Sequence, residues 1–187
     1  MEVHVIRHTP VDFDKKSCYG RLDVPLAKDF KEDFKKIKNQ MDDNFDILYS
    51  SPLSRCVLLA DEFKNENLKT DDRLLELNFG DWEGKRWEEI NQEDLNTWMI
   101  DFVSVAPNNG ESLSTMFDRV KDFLNELRKE EHEKVLIITH SGVIRCIWAY
   151  LLEIPLQNLF KLPVGFYELL SFKLGENSNL DSILKLK

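Results

Sequence analysis

Two histidines in this chain stand beside groups that could share chemistry with them: His8 follows Arg7, and His140 follows Thr139 and precedes Ser141-Gly142. A neutral imidazole attacks phosphorus well once a hydrogen bond fixes its other nitrogen, so one of these rings is a natural covalent carrier of a phosphoryl group. A phosphate dianion also needs bidentate donors on its equatorial oxygens, and the guanidinium forks of Arg7 and Arg55 supply them better than lysine does. Charge in the loose phosphoryl-transfer transition state spreads over those oxygens, so positioned cations and helix N-termini provide most of the catalysis. The leaving oxygen still needs a proton. Glu76, at the end of LLEL and just before a glycine turn, could donate it and next take one from water. Asp81, Glu83 and Glu88 crowd the same stretch as alternative acids.

These side chains meet only if the right elements position them. Residues 3–6 form a short apolar run that leads into Arg7-His8, and residues 134–140, KVLIITH, read as the clearest strand, running straight into His140. In open α/β sheets ligands bind outside the carboxyl ends of the strands, so two such ends each present a histidine to one cleft. A third strand, residues 45–51, leads to Ser51-Pro52, where serine can cap a helix and proline can occupy its first turn, placing Arg55 in that turn. Residues 9–27, with Pro10, Gly20 and Pro25 and no sustained period, read as a long functional loop. Helices are expected around Phe30, Phe34, Ile37 and Met41, in broken form over 87–102, over about 113–129, and over SGVIRCIWAYLL. Short strands are expected at 72–77, FYELLSFK and LDSILKLK. Strands alternating with helices in this way predict one three-layer α/β/α domain over residues 1–187 with a mostly parallel central sheet.

The motifs resemble those of a known family. RHT resembles the Arg-His-Gly opening of the histidine phosphatase superfamily, ELNFGDWEG is similar to its acid-bearing segment, and ITHSGVIR is similar to its second-histidine motif. The resemblance spans most of the chain and implies a phosphoglycerate-mutase-like fold. It implies His8 as the phosphorylated nucleophile, Arg7, Arg55 and His140 as phosphoryl-binding groups together with His8, and Glu76 as proton donor. Within the superfamily, RHTPVDFDKKSCYGRLDVPLA most resembles the α-ribazole phosphatases of cobalamin-nucleotide assembly. Thr9 stands where glycine is usual, and Val11, Asp12 and Phe13 stand where many members carry an asparagine. These departures tell against a mutase and leave hydrolysis untouched.

Composition bounds the alternatives. The 187 residues are 42% hydrophobic and 32% charged, which is the balance of a folded protein. With 25 basic against 34 acidic residues the net charge is −9, which repels nucleic acid and anionic membrane surfaces. The expected partner is a small phosphorylated metabolite. Cys18, Cys56 and Cys146 form no CxxC pair, and the N-terminus starts on a strand-like run without a basic leader, so free thiols and a cytoplasmic location are expected. No metal or organic cofactor is required by the residues singled out. The rival enzyme is a magnesium-dependent aspartyl phosphatase built on Asp12 and Asp14, but residues 7–11 separate that pair from the strand end, and Lys15-Lys16 would oppose the metal. No cysteine has an arginine six positions later, which excludes a cysteine phosphatase. A non-catalytic phosphate-binding domain would be expected to lack a nucleophile or an acid, and this set is complete. His4 and His132 read as structural, and the tryptophans read mainly as core. The substrate expected is α-ribazole 5′-phosphate, with a broad sugar or nucleotide phosphatase as the alternative.

Overall fold

The computed structural model describes residues 1–41 and 44–186. Among these residues the strands are β1 (Glu2–Arg7), β2 (Ile47–Ser50), β3 (Leu68–Thr70), β4 (Lys134–Thr139), β5 (Leu169–Lys173) and β6 (Ser182–Leu186). The α-helices are α1 (Phe30–Lys38), α2 (Ser54–Asp61), α3 (Gln92–Ile100), α4 (Leu113–Leu127) and α5 (Ser141–Leu152). The strands make one sheet in the order β3-β2-β4-β1-β5-β6. The first four in that order run parallel, and β5 and β6 are antiparallel to their neighbours. The expected sandwich with a mostly parallel sheet is therefore what forms.

Period-two alternation within continuous apolar runs builds its two cores, as it must in strands covered on both faces. On one face Val135 and Ile137 of β4 pack with Val3 and Val5 of β1 against Val120, Phe123 and Leu124 of α4 and Ile144 and Ile147 of α5. On the other face Leu136 and Ile138 pack with Ile6 and Leu48 against Phe34 and Ile37 of α1 and Cys56 and Leu59 of α2. Among the described residues no helix is long and apolar enough to cross a membrane.

Three local expectations are corrected. Residues 72–77 are not a strand: β3 lies earlier, and Asp72–Leu74 is a 3₁₀ turn because the Asp71 carboxylate accepts the Arg73 N–H and caps it. Ser51 does not cap α2, which starts at Ser54 after an extended Leu53. Instead the Ser51 N–H continues the sheet onto the Ile138 carbonyl at 3.0 Å. The free N–H at the helix start is taken by the distant Asp23 carboxylate, 3.0 Å from Ser54 N, a charge placed well for the helix dipole. Met41 lies beyond α1, which ends at Lys38. The broken helix over 87–102 resolves into a 3₁₀ turn, Trp87–Glu89, followed by α3.

The long loop over residues 9–27 has no regular element but is not loose. Bridges join Val11 to Leu26 and Ser17 to Arg86. The Cys18 N–H bonds the Lys85 carbonyl at 2.8 Å, and the Gly84 N–H bonds the Cys18 carbonyl at 2.8 Å. The loop is thus zipped to the segment that follows Glu76.

Candidate active site

Strand register brings the two histidines together. Arg7 of β1 pairs with Thr139 of β4, so His8 and His140 leave the sheet side by side. The His8 N–H reaches the Thr139 carbonyl at 2.9 Å, and the two rings meet edge-on with centroids 5.2 Å apart. On the other side of β4, Ser50 of β2 pairs with Ile138, which puts Ser51 next to His140. The Ser51 hydroxyl lies 2.7 Å from His140 Nε2, which is the use that took it away from helix capping.

A backbone carbonyl fixes the tautomer of His8. Its Nδ1 lies 2.7 Å from the Thr9 carbonyl oxygen. A carbonyl can only accept, so Nδ1 carries the proton and the lone pair is left on Nε2. Burial, the Arg55 charge and the Arg7 charge push the His8 pKa down to about 3. Burial lowers that of His140 well below the usual range, with His8 and Arg55 adding to it. Both rings are neutral near pH 7.

Around His8 the cations converge. Arg55, in the first turn of α2, is fully buried and donates through Nη1 to the Leu22 carbonyl at 2.9 Å and through Nη2 to the Gly20 carbonyl. Arg7 donates through Nη1 to the Val164 carbonyl at 3.0 Å and lies 4.0 Å above the Phe166 ring. Among the described residues the Nε of Arg7, the Nε of Arg55 and the Thr9 hydroxyl are buried without a hydrogen-bond partner. Buried donors are rarely left orphaned, and the two arginines line the same cavity as His8, so their Nε groups point to an acceptor-rich ligand there.

Glu76 sits across the cleft on the start of α5. Its carboxylate accepts the Gly142 N–H at 3.2 Å, the Ser141 hydroxyl at 3.3 Å and the Leu77 N–H at 3.0 Å. The glycine leaves room for that approach, since a Cβ on Gly142 would stand 2.3 Å from Glu76 Oε1 and displace the carboxylate. Arg7, His8, Arg55 and Glu76 all line one cavity of about 240 Å³. His140 does not line it, being fully buried and packed on the His8 ring.

The other candidate acids are placed elsewhere. Asp81 accepts from Asn109 at 3.0 Å, Glu88 pairs with Arg86 on the surface at 3.6 Å, and Glu83 is occupied by backbone N–H groups. Neither Asp12 nor Asp14 lines the cavity; Asp14 pairs with Arg86 at 3.2 Å. Among the described residues no cluster of three or more His, Cys, Asp or Glu side chains could hold a metal ion. His4 bonds Ser171 and Glu2 and His132 bonds Glu130, both structural as expected. Trp82 is core beside Cys18 and Ile90, whereas Trp87 lines the cavity.

Among the polar side chains that line the cavity, Tyr19 and Arg145 escaped the sequence reading, as did apolar ones such as Leu159 and Phe160. Arg145 follows Ser141 by four positions in α5, the spacing that puts both on one helix face, and it closes the ITHSGVIR motif. Its Nε donates to the Leu162 carbonyl at 3.0 Å. Tyr19 comes from the irregular loop, where no periodicity marks which side chains turn inward.

The chain matches the family description "Histidine phosphatase superfamily (branch 1)" over residues 3–179. It is 31% identical to phosphoserine phosphatase 1 of Hydrogenobacter thermophilus over 83% of this chain and 78% of that protein. It is 26% identical to the adenosylcobalamin/α-ribazole phosphatase of Escherichia coli over 88% of this chain and 85% of that protein. The crystal structure of the α-ribazole phosphatase from Shigella flexneri superposes with a TM-score of 0.89 at 24% identity, covering 100% of this chain and 96% of that one, which establishes the shared fold. With two histidines at adjacent strand ends, the buried Arg55 and half-buried Arg7 beside them and an acid across the cleft, the chain belongs to the histidine phosphatase superfamily and is a phosphatase.

Proposed function

We propose that this protein is a metal-independent phosphomonoesterase that works through a phosphohistidine at His8, with α-ribazole 5′-phosphate as its substrate. The observation that carries the chemistry is the His8 Nδ1 to Thr9 carbonyl bond of 2.7 Å, which leaves Nε2 free beside the buried guanidinium of Arg55 and the half-buried one of Arg7. In the first step Nε2 attacks phosphorus, the ester P–O bond breaks, and Glu76 gives its proton to the departing oxygen. In the second, Glu76 takes a proton from water as that water attacks the phosphohistidine, releasing phosphate and restoring the neutral ring. Arg7 and Arg55 hold the equatorial oxygens, and His140 supports the phosphoryl site against the His8 ring. One domain over residues 1–187 suffices for this set, and no organic cofactor takes part. The three buried free cysteines support a reducing, cytoplasmic setting.

The substrate reading rests on the outer wall of the cleft. Phe79, Trp87, Leu159 and Phe160 line it, and such apolar and aromatic surface suits the flat benzimidazole base of α-ribazole. A relative with that name covers most of the chain. One observation favours a second reading: Arg145 lies in the same wall and could hold a carboxylate, as a phosphoserine substrate would present, and a 31% identical relative is named a phosphoserine phosphatase.

The test is phosphate release from α-ribazole phosphate, phosphoserine, sugar phosphates, 3-phosphoglycerate and nucleotides, ranked by kcat/KM in the presence of EDTA. α-Ribazole phosphate is expected to lead. A phosphoserine maximum would install the second reading, and a flat profile would replace both with a broad phosphatase. His8→Ala should abolish turnover and the acid-labile, base-stable label seen in a rapid quench. A label that survives in this variant refutes the nucleophile, and activity lost in EDTA and restored by magnesium refutes the metal-independent route.

A further inference from the structure

Glu83 does not itself line the cavity, yet every acceptor position of its carboxylate is in use. Oε2 accepts the N–H groups of Gly20 at 2.8 Å and Leu22 at 3.0 Å. Oε1 accepts those of Arg21 at 2.9 Å and Phe79 at 3.0 Å. Three of these donors belong to the turn whose carbonyls hold Arg55: Gly20 O receives Nη2 and Leu22 O receives Nη1 at 2.9 Å. The peptide joining Gly20 to Arg21 is the direct link, because its N–H faces the Glu83 carboxylate while its C=O faces the guanidinium. A trans peptide points these two groups in opposite directions, so its dipole is aligned between an anion and a cation, the favourable sense for both. The packing leaves no slack, since a Cβ on Gly20 would stand 1.9 Å from the Leu77 carbonyl oxygen.

We infer that Glu83 is a positioning residue for Arg55: it fixes the turn over residues 20–22, and that turn aims the guanidinium at the phosphoryl group. The inference rests on the reading of Arg55 as a phosphoryl-binding group. A carboxylate is required because each of its oxygens takes two N–H donors. In Glu83→Gln one of those oxygens becomes an NH₂ group facing two N–H groups, whichever way the amide is turned.

The experiment is a double-mutant cycle on Glu83→Gln and Arg55→Ala, reading kcat/KM for p-nitrophenyl phosphate and competitive inhibition by inorganic phosphate, with folding followed by circular dichroism and thermal melting. Glu83→Gln alone should weaken phosphate inhibition and kcat/KM by roughly 10- to 100-fold, the scale of hydrogen bonds to a charged group. It should do so by the same factor for alkyl and p-nitrophenyl esters. In the Arg55→Ala background the same change should cost little more, because the cation it positions is gone. A loss that persists undiminished without Arg55 overturns the inference, and so does a loss confined to alkyl esters, which would make Glu83 an acid. Arg55→Ala alone reports on the underlying reading: if it leaves phosphate inhibition unchanged, both fall, whereas weakened inhibition with additive Glu83 effects removes only the positioning role. Should Glu83→Gln not fold, the cycle is run with Glu83→Asp, which keeps both oxygens and withdraws them by one methylene; the same non-additivity is expected and the same additivity overturns it.

Discussion

Four carboxylates follow one another between Glu76 and Glu88, and what separates them is the company each keeps. Glu76 alone of Glu76, Asp81, Glu83 and Glu88 lines the cavity that holds His8, so the proposed proton transfer falls to it. A general acid contributes about 10²–10⁴-fold, and only as far as the leaving group needs the proton. Glu76→Gln keeps the size of the side chain and removes the transferable proton. Hydrolysis of an alkyl phosphate should therefore fall by about that factor, while hydrolysis of p-nitrophenyl phosphate, whose phenolate leaves unaided, should fall far less. Steady-state kcat/KM on the two esters makes the comparison. Equal losses would show that Glu76 serves binding or the dephosphorylation step and would send the search for the donor elsewhere.

The elements explain why Glu76 can approach at all. Gly142 is the second residue of α5, where alanine is ordinarily the better helix former by about 1 kcal/mol. Here its Cβ would collide with Glu76 Oε1 at 2.3 Å and press on the Met116 methyl at 3.0 Å. Gly142→Ala should leave the thermal melt within a few degrees of wild type yet reproduce the Glu76→Gln pattern, with alkyl esters hit hardest, because the carboxylate is displaced from the helix start. An alkyl-ester rate unchanged in this variant would mean that Glu76 works from another position. The meeting of the two histidines was legible in the sequence because strands name their own ends: Arg7-His8 and Thr139-His140 each close an apolar run, and a parallel register then makes them neighbours. What was not legible depends on distant partners. Ser51 has the side chain of a helix cap but spends it on His140, 89 positions away. Asp23 caps α2 from the loop, and Glu83 looks like a spare acid until the turn over residues 20–22 folds onto it. Local propensity loses wherever a tertiary hydrogen bond competes for the same side chain.

On the scale of the whole molecule, an acidic protein of net charge −9 keeps two neutral histidines under a cluster of arginines, and this ties stability to pH. An unfolded histidine titrates near 6.5, whereas folded His8 titrates at about 3 because of burial and the charges of Arg55 and Arg7. Between those values the unfolded chain binds a proton that the folded chain refuses, so stability rises with pH in that window. The contribution is fully present above pH 6.5 and is lost as pH falls, by up to about 1.4 kcal/mol per unit. Carboxylates held low, such as Asp46 with the backbone N–H groups of Lys134 and Glu133 on it, have the same sign but act only toward pH 4 and below. The interval from pH 7 to 5 therefore isolates the histidines, and comparison with His8→Gln cancels the rest. Over that interval wild type should lose about 2 kcal/mol more than His8→Gln, a difference of roughly 4–8 °C in Tm for a chain of this size. Thermal melts in phosphate-free buffers across the interval would show it. Parallel curves would mean that His8 holds its proton equally well folded and unfolded, and the neutral nucleophile would lose its physical basis.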